Sequence, residues 1–232
     1  MFRITRFFLF RVLPALLVFL AAYQLYIFAH ILWWRNHNPK MTSFMESRLE
    51  ILQKKDPDFE LRHKWVPYKD ISINLKRAVV ASEDAKFLDH EGFDWEGIED
   101  AFERNIKKGR IVAGGSTISQ QLSKNLFLTA GKTPWRKLEE AAITLMLEAA
   151  LPKRRIFEIY LNVIEWGNGI YGAEAAARRY YGVSAKRLTV SQAALLASMV
   201  PNPRYFEKHR KAKKLLRKAR IIQRRMRYAD VP

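Results

Sequence analysis

Two glutamates, a Gly-Gly-Ser-Thr turn and the lysines and arginines around them are the groups here whose types and spacing could do chemistry. That chemistry is proton transfer beside a bound anion. Glu83 lies in NLKRAVVASEDAKFLDH, residues 74–90. If this segment is helical, Leu75, Val79, Glu83 and Phe87 share one i,i+4 stripe, so Glu83 sits on the apolar side. Desolvation there makes a carboxylate a better proton acceptor near neutral pH. The plainer alternative is a frayed helix end with Glu83 paired to Lys86 or Arg77. Gly114-Gly115-Ser116-Thr117 then runs into ISQQLSKNLFL, with Ile118, Leu122 and Leu126 as an apolar stripe. Two glycines let the backbone approach a ligand, Ser116 or Thr117 can cap the helix, and free amides at its positive end suit an anion. Lys124, Lys132, Arg136 and Lys137 follow closely; a capped core helix with a solvated basic face reads equally well. In residues 135–162, Glu139 reads as a solubilising surface charge. Glu140 lies one turn beyond Arg136 and keeps its charge through that pair. Two carboxylates in unlike surroundings are what glycosyl chemistry uses, one to move a proton and one to stabilise charge.

Other chemistries fall away. The chain has no cysteine, which excludes a disulfide scaffold, a thiolate metal site and a cysteine nucleophile. No His-Glu-x-x-His occurs, and His30, His37, His63, His90 and His209 are scattered. There is no Gly-x-Ser-x-Gly elbow and no Ser-x-x-Lys. The run from Gly109 to Ser116 has glycine where a phosphate-binding loop needs lysine, and Gly131-Lys132-Thr133 lacks the leading glycine, so a nucleotide triphosphatase is excluded. With 41 Lys and Arg against 23 Asp and Glu, the net charge is +18. Such an excess calls for a polyanionic partner: nucleic acid, an anionic membrane face, or a phosphate-bearing substrate.

The elements that must position these groups are helical. Residues 12–32, VLPALLVFLAAYQLYIFAHIL, span about 31 Å as a helix, against a hydrocarbon core of roughly 30 Å. Arg11 and Arg35 mark its ends, and Tyr23, Tyr26, Trp33 and Trp34 weight the exit side. The stretch is too long for a cleaved signal peptide and no small-residue cleavage site follows, so it reads as a signal-anchor. Arg3, Arg6 and Arg11 favour an inside amino terminus and an outside remainder. The expected division is a cytoplasmic tail at 1–11, a transmembrane segment at 12–34, a juxtamembrane helical segment at 35–64 and the functional domain at 65–232. Ile98, Ala101, Phe102 and Ile106 form a stripe closed by Gly109. Thr133-Pro134 opens a helix whose stripe is Leu138, Ala141, Ala142, Leu145 and Ala149. Thr189 with Gln192 makes a capping box, and Pro201 stops that helix. No alternating run demands a sheet, so the class is all-α. Between Arg204 and Arg227 stand twelve Lys and Arg against Glu207, with Leu215, Leu216, Ala219, Ile222 and Met226 as an apolar strip. That strip packs on the domain, with some attraction of the cations to an anionic lipid surface.

Taken in order, four strings resemble the peptidoglycan glycosyltransferases. They are VVASEDAKFLDHEG from Val79, GGSTISQQLSKN from Gly114, RKLEE from Arg136 and KRRIFEIYLN from Lys153. That family includes the amino-terminal domain of class A penicillin-binding proteins and a short stand-alone form, which this chain resembles in size. The resemblance implies a lysozyme-like fold of two lobes with a cleft, the smaller lobe at the membrane. It implies polymerisation of lipid II, with Glu83 as general base on the acceptor's 4-hydroxyl, inversion to a β-1,4 bond and release of undecaprenyl diphosphate. Glu140 matches the second glutamate, orienting cations at the diphosphate or assisting the leaving group. Asp84, Phe87, His90, Gly115, Ser116, Thr117, Gln120, Gln121, Lys124, Asn125, Lys132, Arg136, Lys137 and Lys153 match positions assigned to the substrate. Lys132 stands where relatives often carry arginine, and Ser119 where threonine is common. No cofactor is required; a divalent cation, Mg or Mn, at the diphosphate is left open. The implied partners are lipid II, the growing lipid-linked strand, the membrane and other cell-wall synthesis proteins, with no nucleic acid. The implied location is the bacterial inner membrane, catalytic domain on the periplasmic face. Two rivals stay beside this reading: a lytic, lysozyme-like enzyme acting on finished glycan, and a membrane-anchored basic nucleic-acid binder without activity.

Overall fold

The computed structural model describes residues 11–110, 114–129, 131 and 133–232. Lys132 and most of the amino-terminal tail lie outside them. Helix α1, Leu13–Trp33, is the apolar segment, with a mean hydropathy of 2.0 over its best window. Thr42 caps α2, Ser43–Gln53, and β1, Arg62–His63, follows. Ser72 caps α3, Ile73–Glu83; Asp94 caps α4, Trp95–Lys108, which Gly109 closes in the left-handed region. The central layer is α5, Ile118–Phe127, α6, Pro134–Ala150, and α7, Lys153–Val163. Two short strands, β2, Glu165–Gly167, and β3, Ile170–Tyr171, lead to α8, Ala173–Tyr181. The chain ends in α9, Val190–Met199, α10, Pro203–Lys208, and α11, Lys213–Arg225.

The core is continuous. From Ile156 to Val163 every residue of α7 but Glu158 is buried. Leu75 and Val79 of α3, Leu122 of α5, Ile143 and Leu147 of α6, and Leu196 of α9 close around it. Each such side chain contributes about 1.5–3 kcal/mol by leaving water. The class is all-α, but three short strands were not legible: β1 runs parallel to β3, and β2 antiparallel to it. The turn into α8 needs glycine. Gly172 has φ 81, and a Cβ there would lie 2.5 Å from the Asn162 carbonyl oxygen. Asn162 also ties α7 to the entering chain, accepting from Val66 N at 2.9 Å and donating to Val66 O at 3.0 Å.

Two stripes differ from expectation. On α4 only Ala101 is buried, while Phe102 and Ile106 face outward. On α6 the buried face is Glu140, Ile143, Thr144 and Leu147, whereas Leu138 and Leu145 are 63% and 56% exposed. The packed face of α6 carries polar groups, Glu140 and Thr144, so hydrophobicity alone selects the wrong side. Helix α3 also stops at Glu83, with Asp84 as its C-cap; Phe87 is buried from the following turn, 5.5 Å from the Phe157 ring. The basic helix α11 packs on α9 and α3 through Leu215, Ala219 and Ile222.

The anchor helix is not a free tether. Ile27 and Ile31 belong to the core, and Trp34 lies 5.2 Å from the Phe127 ring. Arg155 donates to the carbonyls of Trp34 and His37 and to Asn38, gripping the end of α1. Gln24 donates to both oxygens of Glu139 at 3.0 and 3.1 Å, so Glu139 fastens the anchor rather than solubilising a surface.

Glu165 of β2 is buried, one carboxylate oxygen without a partner among the described residues and the other 3.5 Å from Arg204. Burial pushes its carboxyl from an ordinary 4.5 up to about 6, against the pull of Arg204 and Arg48. A raised carboxyl favours the folded state most below its unfolded value. That contribution is lost as pH rises from about 4.5 through 6, roughly 2 kcal/mol in all. Glu165→Gln stays neutral and is therefore expected to melt higher than the parent at pH 7.5, the gap closing below pH 4.5. A pH-independent gap, or a lower melting temperature at pH 7.5, refutes this.

Candidate active site

Glu83 ends α3 with its side chain 9% exposed. Its Oε1 accepts from Ser82 Oγ at 2.7 Å and from Lys218 Nζ at 3.4 Å; its Oε2 accepts from Gln121 Nε2 at 3.3 Å. Gln121 in turn accepts from the Tyr160 hydroxyl at 2.8 Å. Burial first, then the charges of Glu83 and Asp84, hold the Tyr160 phenol well above its ordinary pKa, so it stays a donor. Neither Lys86 nor Arg77 is the partner of Glu83; Lys86 pairs with Glu96 instead. The carboxylate opens into a cavity of about 780 Å³. Ser82, Gly114, Ser116 and Gln121 line it beside Glu83, together with residues of the α9–α11 corner, among them Asn202, Tyr205, Lys214 and Lys218.

The amino terminus of α5 is built as the turn sequence suggests, but its anion is internal. Thr117 caps the helix in a box with Gln120, and the Ile118 amide donates to Asp84 Oδ2 at 2.9 Å. His90 Nε2 lies 3.0 Å from the same carboxylate, and Thr117 Oγ1 donates to Gly92 O at 2.6 Å. Asp84, Phe87, His90, Thr117 and Gln120 thus lie behind the cavity wall, bonded to one another or packed. Gly115 is required by packing, since a Cβ would sit 2.9 Å from Ile98 Cα; Gly114 and Ser116 face the cavity. Lys153 also turns inward, to Glu148 at 2.8 Å, with the Phe87 ring 4.7 Å away.

The second carboxylate stands among cations. Glu140 is buried, with Arg136 at 3.7 Å and Lys137 in direct contact. Arg136 Nε is buried without a partner among the described residues, an unspent donor. Burial pushes the Lys124 ammonium below its ordinary pKa, as do Arg136 and Lys137, while Glu140 and Glu83 pull it back up. Lys124 is therefore within electrostatic reach of both glutamates. Asn125 is half-buried beside it on α5. Among the described residues no group of three or more His, Asp or Glu forms a metal cage.

Sequence reasoning missed Tyr160 as a site group, although it stands in the fourth string. It also missed Lys218, Lys214 and Glu148. Lys218 carried no signal of its own, being one of twelve cations in the tail. The juxtaposition of a shielded carboxylate beside a cavity and a cation-flanked second carboxylate suits glycosyl transfer from a phosphorylated donor.

Comparison with known proteins supplies the family. The family profile described as Transglycosylase matches residues 50–227. The chain is 66% identical over 224 residues to the biosynthetic peptidoglycan transglycosylase of Chromobacterium violaceum, covering 97% of this chain and 98% of that one. It is 66% identical over 216 residues to the protein of the same name from Methylobacillus flagellatus, covering 93% and 94%. It is 63% identical over 222 residues to that of Laribacter hongkongensis, covering 96% and 97%. A match of this extent over the segment that builds both glutamate sites makes the chain a member of the transglycosylase family.

Proposed function

We propose that this membrane-anchored transglycosylase polymerises the glycan strands of the cell wall from lipid II. The observation that carries this reading is Glu83: nearly dry, oriented by Gln121 and Ser82, and facing a cavity large enough for sugar rings. Glu83 accepts the proton of the acceptor's 4-hydroxyl as that oxygen attacks the anomeric carbon of the lipid-linked donor. The new C–O bond forms as the bond to the diphosphate oxygen breaks, and the electron pair leaves with undecaprenyl diphosphate. Direct displacement inverts the centre to a β-1,4 linkage and needs no covalent intermediate. Negative charge grows on the departing diphosphate, where Arg136, Lys124 and Lys137 oppose it; Glu140 keeps those cations gathered before substrate arrives. A divalent ion, Mg or Mn, at the diphosphate would meet Glu140 already paired with Arg136 and Lys137, and no step above depends on it. The domain stands on the outer face of the cytoplasmic membrane, where lipid II is presented.

The test is direct. The purified full chain in detergent, given labelled lipid II, is expected to yield long polymer that a muramidase digests, and to release nothing from purified cell wall. Soluble fragments from cell wall with no polymer from lipid II would replace synthesis by lysis.

A further inference from the structure

The α9–α11 corner lines the same cavity as Glu83, and no string that carried the family resemblance includes it. Pro201 stops α9, and α10 follows at once, so Asn202 and Tyr205 fall three residues apart beside the same space. The Tyr205 ring is stacked on His209 at 4.2 Å and 16° and meets Phe206 edge-on at 5.2 Å. It still keeps 48% of its surface exposed. Trp95 and Trp135 are exposed as well, but neither lines this cavity. The other aromatic there, Phe206, is buried and has little face to offer. Tyr205 is held from behind: Glu207 of the same helix accepts from the Asn168 amide at 2.7 Å, and His209 Nδ1 lies 2.8 Å from the Tyr205 carbonyl. The Asn202 side chain caps no helix amide.

A half-exposed aromatic ring beside an amide without a partner among the described residues is chemistry suited to a sugar. The axial hydrogens on one side of a pyranose carry partial positive charge and attract the negative face of an aromatic ring. A carboxamide donates and accepts together, which matches neighbouring hydroxyl groups. We infer that Tyr205, with Asn202 beside it, is the stacking platform that holds the acceptor saccharide against Glu83. This rests on the polymerase reading for the word acceptor; the saccharide contact does not. The platform acts on binding, so its removal weakens substrate capture more than the chemical step.

The experiment compares the full-length parent with Tyr205→Ala and Tyr205→Phe after thermal melts establish that all three are folded. Tyr205→Ala is expected to raise the KM for lipid II about 5–10-fold with kcat changed less than about 3-fold. Tyr205→Phe, which keeps the ring, is expected to stay near the parent in both. An unchanged KM in Tyr205→Ala, or a Tyr205→Phe variant as impaired as the alanine, overturns the platform. Saturation-transfer NMR with the soluble disaccharide of N-acetylglucosamine and N-acetylmuramic acid is the second readout. It should show contact in parent and phenylalanine proteins and lose most of it in the alanine variant; equal signals in all three overturn the inference. A parent that makes no polymer would overturn the polymerase reading, and the NMR contrast would still decide the role of Tyr205.

Discussion

Glu83→Gln is expected to reduce polymer formation from lipid II by about 10²–10⁴-fold, the range that a positioned general base supplies. The replacement has the same shape. Its carbonyl oxygen still accepts from Ser82 or Gln121, so the cavity wall keeps its form. What is lost is the capacity to take a proton and the counter-charge to Lys218. Loss should therefore fall on kcat, with KM for lipid II changed little. Lys218 is about one-third exposed and rehydrates without its partner, so the melting temperature should move by only a few degrees. A variant polymerising within about threefold of the parent would remove Glu83 from the chemistry, whatever its burial.

Glu140→Gln should cost about 10²–10³-fold in polymerisation, the scale seen when a preorganised charge-stabilising group is lost. The cause is indirect. Without the carboxylate, Arg136, Lys137 and Lys124 repel one another, and the half-exposed Lys137 has water to move into. The cradle then has to be assembled by the incoming diphosphate, which spends binding free energy that would otherwise favour the transition state. A double-mutant cycle with Arg136→Ala separates this from simple unfolding. If Glu140 acts by gathering cations, the two losses are strongly non-additive. Additive losses, or a Glu140→Gln variant at the parental rate, would contradict the cradle.

How much of this was legible in the sequence depends on the distance over which each feature is decided. The apolar amino-terminal helix, the Thr117 cap, the Thr189–Gln192 box and the Arg136–Glu140 pair are local patterns, and they stand as the spacing implies. Asp84 filling the entrance of α5 joins groups 34 residues apart, and Lys218 reaching Glu83 joins groups 135 apart. No window of sequence holds both ends of such a contact. The strands were invisible because two or three residues cannot display an alternation. The face of α6 was misread for a different reason. Its inner side buries Glu140 and Thr144, while Leu138 and Leu145 sit outside, so polarity runs opposite to burial. The glutamates stand out in the sequence because their neighbours form long ordered strings; neither segment alone compels a role.

The grip on the anchor helix fixes a height. Gln24 sits nine residues before Trp33, about 14 Å down the helix axis, and there it holds Glu139 on α6. Whatever depth and tilt α1 takes in a membrane, α6 and the cleft take with it. A substrate drifting sideways in the lipid plane can enter with its isoprenoid still immersed. Hauling the tail into water, at about 0.8 kcal/mol per methylene, is never required.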